Sequence, residues 1–124
     1  MQCILVLEDN VFMRVVLRDK LEMLGYDVLD APDGESGMRL FHKHLPRLVI
    51  TDVFMPGKNG LQVITEIKLN NQETKIIAIS GGGIAKNSNC LEVAKAIGGD
   101  RVFDKPIKWE EFLNAVNELM NSEG

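Results

Sequence analysis

Five residues have side chains suited to handling a charged group. They are Glu8 and Asp9 in LVLEDN, Asp52 in LVITDVFMPGKNG, Ser80 in IAIS and Lys105 in FDKP. Burying an unpaired carboxylate is costly. Asp52, at the end of an apolar run, is therefore either a solvent-facing turn residue before Met55-Pro56-Gly57 or part of a site. If the set converges, three carboxylates repel: two unit charges 4 Å apart cost roughly 4 kcal/mol at an effective dielectric near 20. One ammonium, Lys105, offsets only part of that. A hard divalent cation that keeps some of its waters, Mg²⁺, suits an all-oxygen donor set. Asp9 and Asp52 are then the direct ligands, Glu8 acts through water, and the backbone carbonyl of Phe54 completes the protein's share. A carboxylate with a reference pKa near ~3.9 needs no base to be a nucleophile at neutral pH. With Mg²⁺ and Lys105 neutralising an anionic phosphoryl group and Ser80 donating to it, the product is an aspartyl phosphate at Asp52.

What could bring these residues together is the alternation of short β-branched runs with helix-like segments, repeated five times. Strands are expected at 3–7, 26–31, 47–51, 75–80 and 101–103. Helices are expected at 11–24 (capped by Asn10, with Val11, Val15 and Leu17 among its apolar positions), 34–44, 60–69, 88–97 and 109–120. Leu61, Val63, Ile64, Ile67 and Leu69 supply the stripe of the third helix. The second run is the more polar and suits a sheet edge; it ends blandly at Asp30-Ala31. Five βα units imply a parallel, doubly wound sheet of order 2-1-3-4-5 with helices on both faces. In that order the crevice between the first and third strands, at their carboxyl ends, is the ligand position. Glu8, Asp9, Asp52, Ser80 and Lys105 all follow strands at that edge.

The bulk properties narrow the function classes. The 124 residues suit one domain, and 45% hydrophobic with 26% charged residues is ordinary for a globular chain. A net charge of −4 without a basic run argues against a nucleic-acid surface and a polybasic membrane anchor. Cys3 and Cys90 match neither a zinc spacing nor a redox motif. Apolar runs fall short of the ~18 residues of a membrane span, and no signal peptide is evident, so a cytoplasmic location is expected. His42 and His44 read as exposed, Trp109 as half-exposed, and Met13, Met23, Met38 and Met120 as core filler. Gly57 and Gly60 read as turn geometry.

From the acidic pair of LVLEDN through ITDVFMPGKNG and IAIS to FDKP, the chain resembles the receiver domain of two-component response regulators over its whole length. The resemblance implies one receiver domain over residues 1–124 with no output domain, and Glu8 and Asp9 holding Mg²⁺. It implies that Asp52 accepts a phosphoryl group from a histidine kinase or histidine phosphotransfer protein, with Ser80 and Lys105 contacting that group. It also implies a cis Lys105–Pro106 bond. Such a protein is a switch rather than an enzyme with a separate substrate: it catalyses its own phosphorylation and dephosphorylation. It signals to a downstream protein through the face formed by residues 81–120. The chain departs from the family pattern at Val102, where an aromatic switch residue is usual, and at Gly81-Gly82-Gly83. Those departures leave open an interaction module that works without phosphorylation. A metal-dependent hydrolase on the same strand ends is disfavoured, because Phe54 stands where such enzymes place a second acid.

Overall fold

Each β-branched run forms a strand and each intervening segment a helix in the computed structural model, which describes residues 3–81 and 90–122. In chain order they are β1 (Cys3–Leu7), α1 (Val11–Met23), β2 (Asp27–Ala31), α2 (Gly34–His44) and β3 (Leu48–Asp52), followed by α3 (Gly60–Asn70), β4 (Lys75–Ser80), α4 (Cys90–Ala96), β5 (Arg101–Asp104) and α5 (Trp109–Asn121). The strands make one parallel sheet in the order β2-β1-β3-β4-β5, with the polar β2 at an edge, as the sequence implied.

Side-chain alternation along the strands divides the core in two. Ile4, Val6, Leu48, Ile50, Ile77 and Ile79 pack on one face against Leu17 and Leu21 of α1 and Phe112, Val116 and Met120 of α5. Leu5, Leu7, Val49, Ile76 and Ala78 pack on the other against α2, α3 and Ala94 of α4. Because both faces are covered, β3 is buried along its whole length. Helix starts follow local chemistry. Asn10 accepts a hydrogen bond from the Met13 amide at 2.9 Å, Asp33 caps α2, and Asn59 with Gln62 forms a capping box on α3.

Several expectations need correcting. Val11 and Val15 are exposed: the buried stripe of α1 runs through Met13, Leu17 and Leu21, a different phase of the same helix. Met23, 85% exposed, and Leu69, 83% exposed, lie in last turns with no core packing. Asp52 belongs to β3 itself rather than to the turn after it. The Gly82-Gly83 loop and the expected helix start at Ser88 lie outside the described residues; α4 is described from Cys90.

The turn that follows β3 brings two backbones very close. A Cβ on Gly60 would collide with the Asp52 carbonyl and the Val53 Cα, and the Gly60 amide donates to the Val53 carbonyl at 2.9 Å. Gly57 takes a positive φ of 73° in the same turn. Glycine at both positions folds the start of α3 back onto the end of β3.

Candidate functional site

The strand register determines which side chains can meet. Leu7 pairs with Thr51, so the next residues, Glu8 and Asp52, stand side by side at the carboxyl edge of β1 and β3. Each shares the parity of the α1/α5 face: Ile4, Val6, Glu8 on one strand and Leu48, Ile50, Asp52 on the other. Beyond β5, Lys105 continues the parity of Phe103 and is fixed by its amide, which donates to the Ser80 carbonyl at 2.9 Å. β5 lies two strands away from β3, about 9–10 Å. Only a long side chain at its end can cross that gap. Lys105 does: its Nζ donates to Glu8 Oε1 at 2.9 Å and to Asp52 Oδ2 at 2.7 Å. The Lys105–Pro106 bond is cis.

Glu8 is 1% and Asp52 5% exposed, so the lysine bridges two carboxylates largely removed from water. Glu8 Oε2 also accepts from the Asn10 amide at 3.1 Å, and Asp52 Oδ1 from the Phe54 amide at 2.9 Å. Burial raises the Glu8 pKa above the usual carboxylate range, against the opposing effect of the Lys105 hydrogen bond. Burial disfavours the Lys105 ammonium as well, but its hydrogen bonds to Asp52 and Glu8 outweigh that and raise its pKa. The exposed Asp9 completes the cluster. Glu8, Asp9 and Asp52 can each offer one carboxylate oxygen such that all three lie within 4.8 Å of one another. Among the described residues, Asp9 makes no hydrogen bond or ion pair. Three carboxylates against one ammonium leave a net negative pocket of oxygen donors, which fits a hard divalent cation.

Four of the five residues singled out from sequence thus converge. Ser80 reaches the same edge on β4, buried, with its hydroxyl directed at the Gly81 carbonyl at 3.5 Å. It has the opposite parity from Asp52, sharing that of Ala78. Phe54 contributes its amide to Asp52. The bland ending expected for β2 is wrong: Asp30 pairs with Arg18 at 2.8 Å and with Arg14 at 3.9 Å, and Arg14 Nη1 donates to the Glu8 carbonyl at 2.8 Å. A cleft of about 510 Å³ opens beside Asp9, walled by Pro32, Asp33, Glu35, Arg39, Pro56 and Lys58. The sequence gives little sign of Arg14 or Asp30. A long side chain inside a helix can turn several ways, and only the fold selects one.

A doubly wound five-stranded sheet with paired acids after β1, an acid ending β3 and a lysine beyond β5 defines a class of acidic-pocket α/β domains. A model of the response regulator receiver domain family matches residues 4–117, and the chain belongs to that family. It is 30% identical over 119 residues to the chemotaxis protein CheY of Bacillus subtilis, covering 95% of this chain and 97% of that protein. It is 33% identical over 117 residues to the probable transcriptional regulator ycf27 of Guillardia theta, covering 94% of this chain but 44% of the relative. The chain therefore spans less than half the length of that regulator. Among solved structures, a response regulator receiver domain protein from Clostridium thermocellum superposes with a TM-score of 0.88 at 28% identity, covering 98% of this chain and 95% of that one. Among the described residues, no helix is long and apolar enough to cross a membrane.

Proposed function

We propose that this receiver domain is a phosphorylation switch in which Asp52 takes a phosphoryl group from a histidine kinase or histidine phosphotransfer protein. The observation that carries the reading is the Lys105 ammonium shared between Asp52, at 2.7 Å, and Glu8, at 2.9 Å, beside Asp9. Glu8, Asp9, Asp52 and the Phe54 carbonyl would hold Mg²⁺, whose role when bound is to neutralise charge on an incoming phosphoryl group. An Asp52 carboxylate oxygen forms the new bond to phosphorus. The donor's phosphorus–nitrogen bond breaks, and its electron pair leaves with the imidazole, which takes up a proton. The Phe54 amide holds the second carboxylate oxygen in place. Lys105 transfers its hydrogen bond from the carboxylate to a phosphoryl oxygen, and Ser80 exchanges its weak bond to Gly81 for another. The dianion so formed draws the end of β4 inward and biases the face made by α4, β5 and α5, where a downstream protein reads the change.

The test is to incubate the protein with acetyl phosphate and Mg²⁺ and measure intact mass. One phosphoryl group is expected on the wild type, and none on Asp52→Asn or in excess chelator. An unchanged mass, or equal labelling of Asp52→Asn, overturns the reading. Val102, partly buried against the core where a switch aromatic is usual, keeps a second reading open: an interaction module indifferent to phosphate. Partner affinity unaltered by Asp52→Asn and by chelator would favour it.

A further inference from the structure

Asp9 presents a problem of aim. Among the described residues its carboxylate has no hydrogen-bond partner, so only its backbone directs it toward Asp52. Glu8, the residue before it, is held at four points. The Glu8 amide donates to the Ala31 carbonyl at 3.1 Å, prolonging the β1–β2 ladder. The Glu8 carboxylate accepts from Lys105 and from the Asn10 amide. The fourth point is the Glu8 carbonyl, the oxygen of the peptide that joins Glu8 to Asp9, which accepts from Arg14 Nη1 at 2.8 Å.

Arg14 is itself held in place. Its Nε faces Asp30 Oδ1 at 3.9 Å, and Arg18 Nη1 grips the other Asp30 oxygen at 2.8 Å. The Arg14 side chain is 18% exposed, shielded between α1 and the end of β2. A guanidinium can serve a carbonyl and a carboxylate together because its donors form a rigid fork; an ammonium on a flexible stem satisfies one acceptor with less control of direction.

We infer that Arg14, held by Asp30, is a positioning residue for the divalent cation site: by fixing the Glu8–Asp9 peptide plane it sets where the Asp9 carboxylate points. This rests on the reading of Glu8, Asp9 and Asp52 as the metal site. It adds a contribution from β2 and the second turn of α1, neither of which supplies a ligand. Outer groups that orient metal ligands commonly change affinity by roughly 10- to 100-fold when removed.

The experiment is calorimetric titration of the full chain with MgCl₂, using wild type, Arg14→Met, Arg14→Lys, Asp30→Asn and the double variant Arg14→Met/Asp30→Asn. Urea unfolding in EDTA monitors the fold of each. Arg14→Met is expected to weaken Mg²⁺ binding by roughly tenfold, Arg14→Lys by less, and Asp30→Asn by a few-fold. The double variant is expected to match Arg14→Met alone, because Asp30 acts through Arg14. Mg²⁺ affinity within twofold of wild type in Arg14→Met, or in Arg14→Ala should the methionine variant fail to fold, overturns the inference. So does a double variant whose losses simply add. A wild type that takes up no Mg²⁺ removes the metal site itself and the inference with it, whereas a binding wild type beside an equally binding Arg14→Met removes only the role of Arg14.

Discussion

Removing the charge of Asp9 should make the metal-free protein more stable. Folding brings its carboxylate within 4.8 Å of that of Asp52. The neighbouring Glu8–Asp9 repulsion, by contrast, partly persists in the unfolded chain. At that separation two unit charges repel by about 0.9 kcal/mol in water and about 3.5 kcal/mol at an effective dielectric of 20. Asp9 is exposed, so the figure lies toward the lower bound, and Lys105 offsets part of it. Asp9→Asn should therefore gain about 1 kcal/mol in EDTA at low ionic strength, where screening is weakest. Mg²⁺ bound at the proposed site should reverse the ranking. At a hundred times its dissociation constant the ion would stabilise wild type by about 2.7 kcal/mol, while a variant binding a hundredfold more weakly would gain about 0.4 kcal/mol. Paired urea titrations at pH 7, in EDTA and in excess MgCl₂, measure both effects. An Asp9→Asn protein less stable than wild type in EDTA, or one that gains equally from Mg²⁺, would refute the picture of an overcrowded acidic pocket awaiting a cation.

Three further outcomes follow from the packing and the pairs. Gly60→Ala places a methyl group against the Asp52 carbonyl and the Val53 Cα, backbone atoms that cannot turn aside. It should lower unfolding stability by about 3 kcal/mol in urea, the upper end for overpacking. Tyr26→Phe removes the hydroxyl that donates to Asn117 Oδ1 at 2.6 Å, tying α5 to the residue just before β2, and should lower it by about 1 kcal/mol. The Glu66 carboxyl sits below its ordinary value of 4.5 because Lys58 donates to it at 2.5 Å, with His42 beside it. A depressed folded-state pKa means its contribution is complete above pH 4.5 and lost as pH falls through the lower folded value. Wild type should therefore exceed Glu66→Gln by under about 1 kcal/mol at pH 7, as befits a partly exposed pair. A gap in thermal or urea stability that fails to close on acidification contradicts this.

The strands, their order and the edge where polar residues gather were legible because each is written in local pattern: β-branched runs, caps, glycine stops and the right-handed crossover rule. Hydrophobicity without phase was a poorer guide. Val11 and Val15 are apolar yet exposed, because the helix buries the stripe through Met13, Leu17 and Leu21. Nor did sequence distinguish the bland end of a strand from a paired one at Asp30, whose partners come from α1. Interactions made by long side chains across elements depend on where those elements finally lie.

That distinction also explains why so few residues suffice for the site. In a parallel sheet every strand finishes at the same edge, and a residue's parity decides which side of the sheet it takes. Glu8, Asp52 and Lys105 continue the parity of Val6, Ile50 and Phe103, all of which pack on the α1/α5 face. A slip of one residue in β3 would turn Asp52 toward α3 and break its bond to Lys105. The same alternation that buries the core thus brings the three charged groups together. The register is anchored by a long row of apolar side chains on both sides of β3, which holds that arrangement against the repulsion of its own acids.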